Sequence, residues 1–175
     1  MSQSIVDTLY GALGVIAASQ GTMNNYIYGN DFYQNYETIC GGTGAGPHFH
    51  GTDGVHSHMT NTRMSDPEVI EENFPVHLEE FSIRKNSGGI GAYMGGNGVV
   101  RKMQFLESMT VTTLTSHRII KPFGVNGGGD GALGHNSVIW SDGRVENLKG
   151  NDTRQLNNGD IFVMKTPGGG GYGAP

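Results

Sequence analysis

The chain has 175 residues, a formal charge of −5, only 35% apolar residues and thirty glycines, against an average glycine usage of about 7%. Lysine and arginine form no run, which argues against nucleic acid and anionic membranes as partners, and no stretch approaches the ~20 apolar residues that span a bilayer. So much glycine excludes a mostly helical chain, while seven Phe, seven Tyr and one Trp give a core something to bury and exclude disorder.

In chain order, residues 4 to 18 read as a helix. Ile5, Leu9, Ala12/Leu13 and Ile16 share one face at helical spacing, Ser2 or Ser4 can cap, and Asp7 lies in the first turn. Gly11 and Gly14 weaken it by about 1 kcal/mol each against Ala, unless they admit a close neighbour. The missing basic n-region and the position of Asp7 exclude a secretion signal. A single cysteine, Cys40, forbids an internal disulfide and fits a reducing cytosol, so the expected location is cytoplasmic.

After residue 23 the texture becomes that of strands. "YIYG", "YETIC", "VHLEEFSIRK", "VVRKMQFLES", "MTVTTLTSHRII", "SVIW", "RVENL" and "DIFVMK" are short runs rich in β-branched and aromatic residues, mostly bounded by Gly, Asn or Asp. In "MTVTTLTS", Val111 and Thr113 face away from Thr112 and Leu114. "WSDGRVENL" reads as a hairpin through Asp142-Gly143, with a similar turn at Asn157 to Asp160. "SDPEVIEENF" reads as a short helix, with Ser65 or Asp66 as cap and Pro67 at the first helical position. The expected fold is mainly β, an antiparallel sandwich or barrel-like sheet, with an N-terminal helix, one short helix and Gly-rich loops. It forms one domain over 1–175.

Three glycine clusters, "SGGIGAYMGGNG" (87–98), "GVNGGGDGALG" (124–134) and "PGGGGYG" (167–173), raise the question of phosphate binding. In the first, Met94 stands where a dinucleotide fingerprint needs its third glycine, and a strand follows instead of a helix. In the second, Gly129 and Gly134 have Walker spacing, but His135-Asn136 replace Lys-Ser/Thr. These clusters are read as wide β connections where backbone passes close to something else.

The stretch "GPHFHGTDGVHSHMTNTR" (46–63) holds two His-x-His pairs, His48/His50 and His56/His58, around Asp53. Alternation in an extended segment turns both rings of a pair to one face. Three readings stand open. His48, His50, Asp53, His56 and His58 could converge on a divalent ion such as Zn or Mn; they could line an active site without metal; or they could be structural or exposed. In "HMTNTR", Thr60, Asn61, Thr62 and Arg63 place hydroxyls, an amide and a forked cation in a row, which either ties loops together or grips a substrate carboxylate or a neighbouring subunit.

Six motifs occur in order: "AASQGTMNN", "YETICGGTGAG", "DGVHSHMTNTR", "EVIEENFPV", "RKNSGGIGAYMGGNGVVR" and "TPGGGGYG". Together they resemble the C-terminal part of the hydantoinase B / 5-oxoprolinase family, which includes acetone and acetophenone carboxylase subunits. The resemblance implies a fragment of a larger B subunit that works with a hydantoinase A-like partner, which binds ATP and Mg, to open a small cyclic amide. It also implies that this piece is inactive alone. The segment "HSHMTNTR" matches the family, so the implied site-lining residues are His56, His58, Asn61 and Arg63. The remaining readings are a non-catalytic assembly module of such a complex or of a related ATP-dependent carboxylase, and a small His-rich metal-binding β domain.

Overall fold

Alternation decides which face of each strand is buried, and hydrogen-bonded pairing sorts the strands into two sheets. The computed structural model describes residues 2–21, 23–60 and 62–175. Strands β1 (Asn24–Gly29), β2 (Gln34–Thr38), β5 (Met109–Thr115) and β8 (Asn151–Leu156) form one sheet in the order β2-β1-β5-β8. Strands β3 (Val76–Arg84), β4 (Gly98–Phe105), β6 (His135–Ile139), β7 (Val145–Leu148) and β9 (Ile161–Lys165) form the other in the order β3-β4-β9-β6-β7. Every strand pairing is antiparallel. Both sheets are open, so of the two expected architectures the chain adopts the sandwich.

The core lies between the sheets. Val99, Arg101, Met103 and Phe105 are buried at every second position of β4, and Met109, Val111 and Thr113 likewise on β5. Tyr26 stacks on Phe162 with centroids 5.4 Å apart, and Tyr28 meets Phe105 edge-on at 5.5 Å. Each such side chain contributes about 1.5–3 kcal/mol by leaving water. One ion pair crosses this core. Nη2 of Arg101 donates to Oε2 of Glu37 at 2.8 Å, and the Tyr26 hydroxyl donates to the same oxygen at 2.9 Å. The pair ties β4 of one sheet to β1 and β2 of the other.

The glycine clusters pack on one another, and the partners of residues 167–172 change with a period of three. Pro167 accepts from the Gly42 N–H at 3.1 Å, while Gly170 bonds Ala18 and Ala45 at 2.8 and 2.9 Å. Gly168 donates to Ala132 at 3.3 Å, while Gly171 bonds Gly129 and Val125 at 2.9 and 3.0 Å. Gly169 bonds Gly89 and Gly96 at 2.8 and 2.9 Å, and Tyr172 bonds Tyr93 at 2.8 and 3.0 Å. Three faces meeting three neighbours is the repeat of a polyproline II helix, which has no hydrogen bonds of its own to offer. A Cβ on Gly168, Gly169 or Gly170 would run into the carbonyl oxygen of Ser87, Thr43 or Phe123 respectively. The close approach expected of these clusters is therefore an approach to other backbone.

The N-terminal helix α1 (Ser2–Ala12) is shorter than the 4–18 expected. The chain turns at Gly14, where φ is +68°, and Ala17 and Ala18 are already outside the helix, donating to the Ala45 and Phe123 carbonyls. The apolar stripe faces outward: Ile5, Leu9 and Leu13 are 59%, 56% and 66% exposed, while the helix buries Gln3 and Asp7. Gly11 lies against the Phe123 ring, the close neighbour its smallness admits. The second helix, α2 (Pro67–Asn73), begins as read, with Asp66 accepting from the Glu68 N–H at 3.0 Å and Pro67 in the first turn. Asp142-Gly143 closes the β6–β7 hairpin, with φ of +85° at Gly143 and a 2.8 Å bond from the Trp140 N–H to the Arg144 carbonyl. The turn at Asn157 to Asp160 exists, but it carries the chain from β8 in one sheet to β9 in the other. Strand β8, "NDTRQL", escapes a reading by apolar alternation because it is a polar edge strand whose one deeply buried side chain is Leu156.

Candidate functional site

The histidine stretch forms the loop between β2 and α2, and its two halves are held by different partners. The first half lies along residues 93–97. Gly51 donates to the Met94 carbonyl at 2.8 Å, Gly54 to the Asn97 carbonyl at 2.9 Å, and Val55 to the Gly41 carbonyl at 3.0 Å. Asp53 accepts from the Asn97 N–H at 2.6 Å and from its side-chain amide at 3.2 Å. His50 Nδ1 accepts from the Met94 N–H at 2.9 Å, so a neutral ring carries its proton on Nε2. His48 Nδ1 stands 3.4 Å from the Tyr93 hydroxyl, and both imidazoles meet the Tyr93 ring edge-on at 6.1 and 5.6 Å. His48 and His50 both pack on the Tyr93 ring, but His48 sits in a turn with φ of +75° and not in the extended backbone the spacing presumed.

The second half is gripped by the polar face of α1. Oε1 of Gln3 accepts from the Met59 N–H at 3.1 Å and from the Thr60 hydroxyl at 3.3 Å, while Nε2 donates to Ser57 Oγ at 2.9 Å. One helical turn on, Asp7 Oδ1 lies 2.9 Å from His58 Nε2, and the carboxylate also accepts from the N–H and hydroxyl of Ser19 at 3.0 and 2.8 Å. His58 takes a φ of +50°, unusual for a bulky residue. That twist breaks the strand-like alternation of His56 and His58 and turns the His58 ring, 15% exposed, onto Asp7. Tyr10 packs edge-on to this imidazole at 5.5 Å.

His56 is the unsatisfied member. Both of its ring nitrogens are buried without a hydrogen-bond partner among the described residues, a condition that costs about 1–3 kcal/mol per polar group. Burial holds its pKa below the ordinary histidine value. Arg63 is exposed, and among the described residues its guanidinium makes no ion pair. Asn61 lies outside the described residues. Among those described, no three His, Cys, Asp or Glu side chains come together in a group that could hold a metal ion. The donor set is divided between Tyr93, Asn97 and Asp7, so no step is assigned to a metal here.

The sequence model of the hydantoinase B/oxoprolinase family matches residues 1–175. The chain belongs to this family. Among its relatives, an uncharacterised protein of Schizosaccharomyces pombe is 49% identical over 99% of this chain, and 5-oxoprolinase 1 of Arabidopsis thaliana is 46% identical over 99%. This hydantoinase B segment spans about 14% of the length of either relative. The crystal structure of an ATP-dependent caprolactamase from Pseudomonas jessenii superposes with a TM-score of 0.77 at 23% identity, over 92% of this chain and 30% of that one. At that identity the likeness concerns the fold alone. No helix among the described residues is long and apolar enough to cross a membrane.

Within this hydantoinase B segment, sequence reading missed Gln3, Asp7 and Ser19. Two buried polar residues four apart on one side of an apolar-striped helix were the available signal: Gln3 and Asp7 are 2% and 6% exposed. Their burial could be known only once the helix had a partner.

Proposed function

We propose that the chain is a component of an ATP-dependent cyclic-amide hydrolase of the 5-oxoprolinase or hydantoinase type, acting in the cytoplasm. It works with an A-like subunit that handles ATP and with a polypeptide supplying the rest of a B-type subunit, and it is inactive alone. The match of nearly the whole chain to about one seventh of a 5-oxoprolinase carries this reading. The glycine clusters support giving the nucleotide to the partner, because Gly168 to Gly171 hydrogen-bond other backbone and leave no room for a phosphate cradle. No nucleotide step is therefore assigned to this chain.

Its own contribution comes from His56, His58, Asn61 and Arg63. Asp7 accepts from His58 Nε2, which leaves Nδ1 as the atom able to take a proton. In ring opening, water adds its hydroxyl to the amide carbon, the C–N bond breaks and the nitrogen gains a proton. His58 takes the proton from the water and returns it to the nitrogen. Arg63, whose fork is in no ion pair among the described residues, grips a carboxylate of the substrate. Reconstitution with the complementary subunits tests this: omission of the chain should abolish ATP-coupled ring opening, and unchanged turnover on omission sinks the proposal.

The outward apolar stripe of α1 favours a second reading, in which the chain only holds the assembly together. Alanine at His56, His58 and Arg63 separates the two. Lost turnover in an intact complex supports a role at the site; lost assembly supports docking.

A further inference from the structure

A cavity of about 540 Å³, apart from the histidine loop, is lined by Arg84, Arg118, Lys121, His135 and Lys165 together with the 132–134 backbone segment. Four of the eleven lysines and arginines of an acidic chain thus face one concavity with no carboxylate in its lining. From these residues we infer an anion site for the phosphate group of a small molecule. The inference does not rest on the ring-opening reading.

Three elements of the second sheet bring the charges together. Lys165 on β9 and His135 on β6 are direct cross-strand partners, so their side chains share a face. Arg84, at the end of β3, donates through Nη1 to the Leu133 and Thr166 carbonyls at 2.7 and 3.0 Å. Arg118 enters from the segment after β5 and is held by Asn24 Oδ1 at 2.8 Å, Asn136 Oδ1 at 2.8 Å and the Ser116 carbonyl at 2.6 Å. All these acceptors are neutral. They aim the two forks without cancelling their charge, and among the described residues none of the four cations is in an ion pair.

The electrostatics bear the mark of that crowding. Burial and the neighbouring charge of Arg84 push Arg118 down to about 9. His135 is lowered by burial and then by Lys165, Arg84 and Arg118. A doubly charged oxyanion relieves every one of these repulsions at once. The half-buried Arg84 fork, which spends only Nη1 on the protein, can meet phosphate oxygens bidentately, the exposed lysines at the rim act by point charge, and Arg118, whose Nε, Nη1 and Nη2 already donate to Asn136, Asn24 and Ser116, adds its charge. The volume falls in the range of about 300–1,000 Å³ usual for small-molecule sites, so the phosphate is expected to carry an organic body.

Titration calorimetry of the full chain at low ionic strength, with inorganic phosphate as probe, tests the site. Phosphate should bind. The double variant K121Q/K165Q, which alters two exposed side chains and should keep its circular dichroism, should weaken binding by about tenfold or more. No heat with phosphate, or equal affinity in the double variant, overturns the site. Succinate or polyglutamate binding as tightly as phosphate overturns the phosphate assignment in favour of a carboxylate ligand or an acidic partner segment.

Discussion

Asp7 of α1 and His58 of the histidine loop, 51 residues apart in sequence, meet at 2.9 Å between Oδ1 and Nε2. The contact fixes which imidazole nitrogen carries a proton, and it docks the helix on the loop. Replacing Asp7 with Ala removes the acceptor for His58 and for both Ser19 donors. Buried donors left unpaired cost about 1–3 kcal/mol each. We expect D7A to lose about 2–3 kcal/mol in urea unfolding, and D7N distinctly less. Equal losses would mean that the contact depends wholly on the carboxylate charge and its second acceptor, and that the one oxygen Asn keeps contributes nothing.

The α1 stripe should behave oppositely. Ile5 and Leu9 are more than half exposed, so I5E/L9E should change the stability of the isolated chain by no more than about 0.5 kcal/mol. If the stripe meets the remainder of a B-type subunit, the same variant should fail to co-elute with that polypeptide in size-exclusion chromatography. Unimpaired co-elution would place the contact elsewhere.

The glycine packing predicts unequal effects of one substitution. At Gly169 an added methyl would run into the Thr43 carbonyl, while at Gly143 nothing lies near and the only strain is φ of +85°. G169A should therefore lose about 3 kcal/mol or more, and G143A about 1 kcal/mol. Thermal unfolding of the two variants gives the comparison, and a milder effect at Gly169 contradicts the packing described.

Inside the sandwich, Arg101 and Glu37 are each nearly inaccessible to water. Removing one partner strands a buried charge and costs about 3–5 kcal/mol. E37Q and R101M should each be severely destabilised, while E37Q/R101M together should recover much of the loss in a double-mutant cycle. Additive losses would show that the pair does not interact as its geometry implies.

Stability should also fall on mild acidification. Burial depresses the His56 pKa in the folded chain below its ordinary value, and His135 is depressed too. The unfolded chain therefore binds more protons just below about pH 6.5. The folded state is favoured above that pH and loses stability as pH drops toward the folded pKa. The urea midpoint should decrease from pH 7.5 to 5.5, and H56Q should flatten the profile. An unchanged slope in H56Q assigns the effect to other groups.

Much of the sandwich was legible because strand alternation is a local signal. "MTVTTLTS" buries Met109, Val111 and Thr113 as its period of two requires, and "SDP" starts α2 with the cap its chemistry favours. Other features were not legible for definite reasons. A helical stripe tells which residues share a face, not whether that face looks inward, and α1 inverts the usual choice by burying Gln3 and Asp7. The His-x-His spacing presumes extended backbone, and the φ values of +75° at His48 and +50° at His58 lie outside what spacing encodes.

By itself, the order of residues determined the β-rich architecture, the two helices and the six-motif family likeness. These depend on short-range periodicity, capping chemistry and local glycine content. Tertiary structure alone decided that Asp7 meets His58, that Tyr93 packs against both His48 and His50, and that four cations converge on one cavity. Such meetings join residues from separate elements, and strand register and sheet order set them; no local pattern along the chain encodes either.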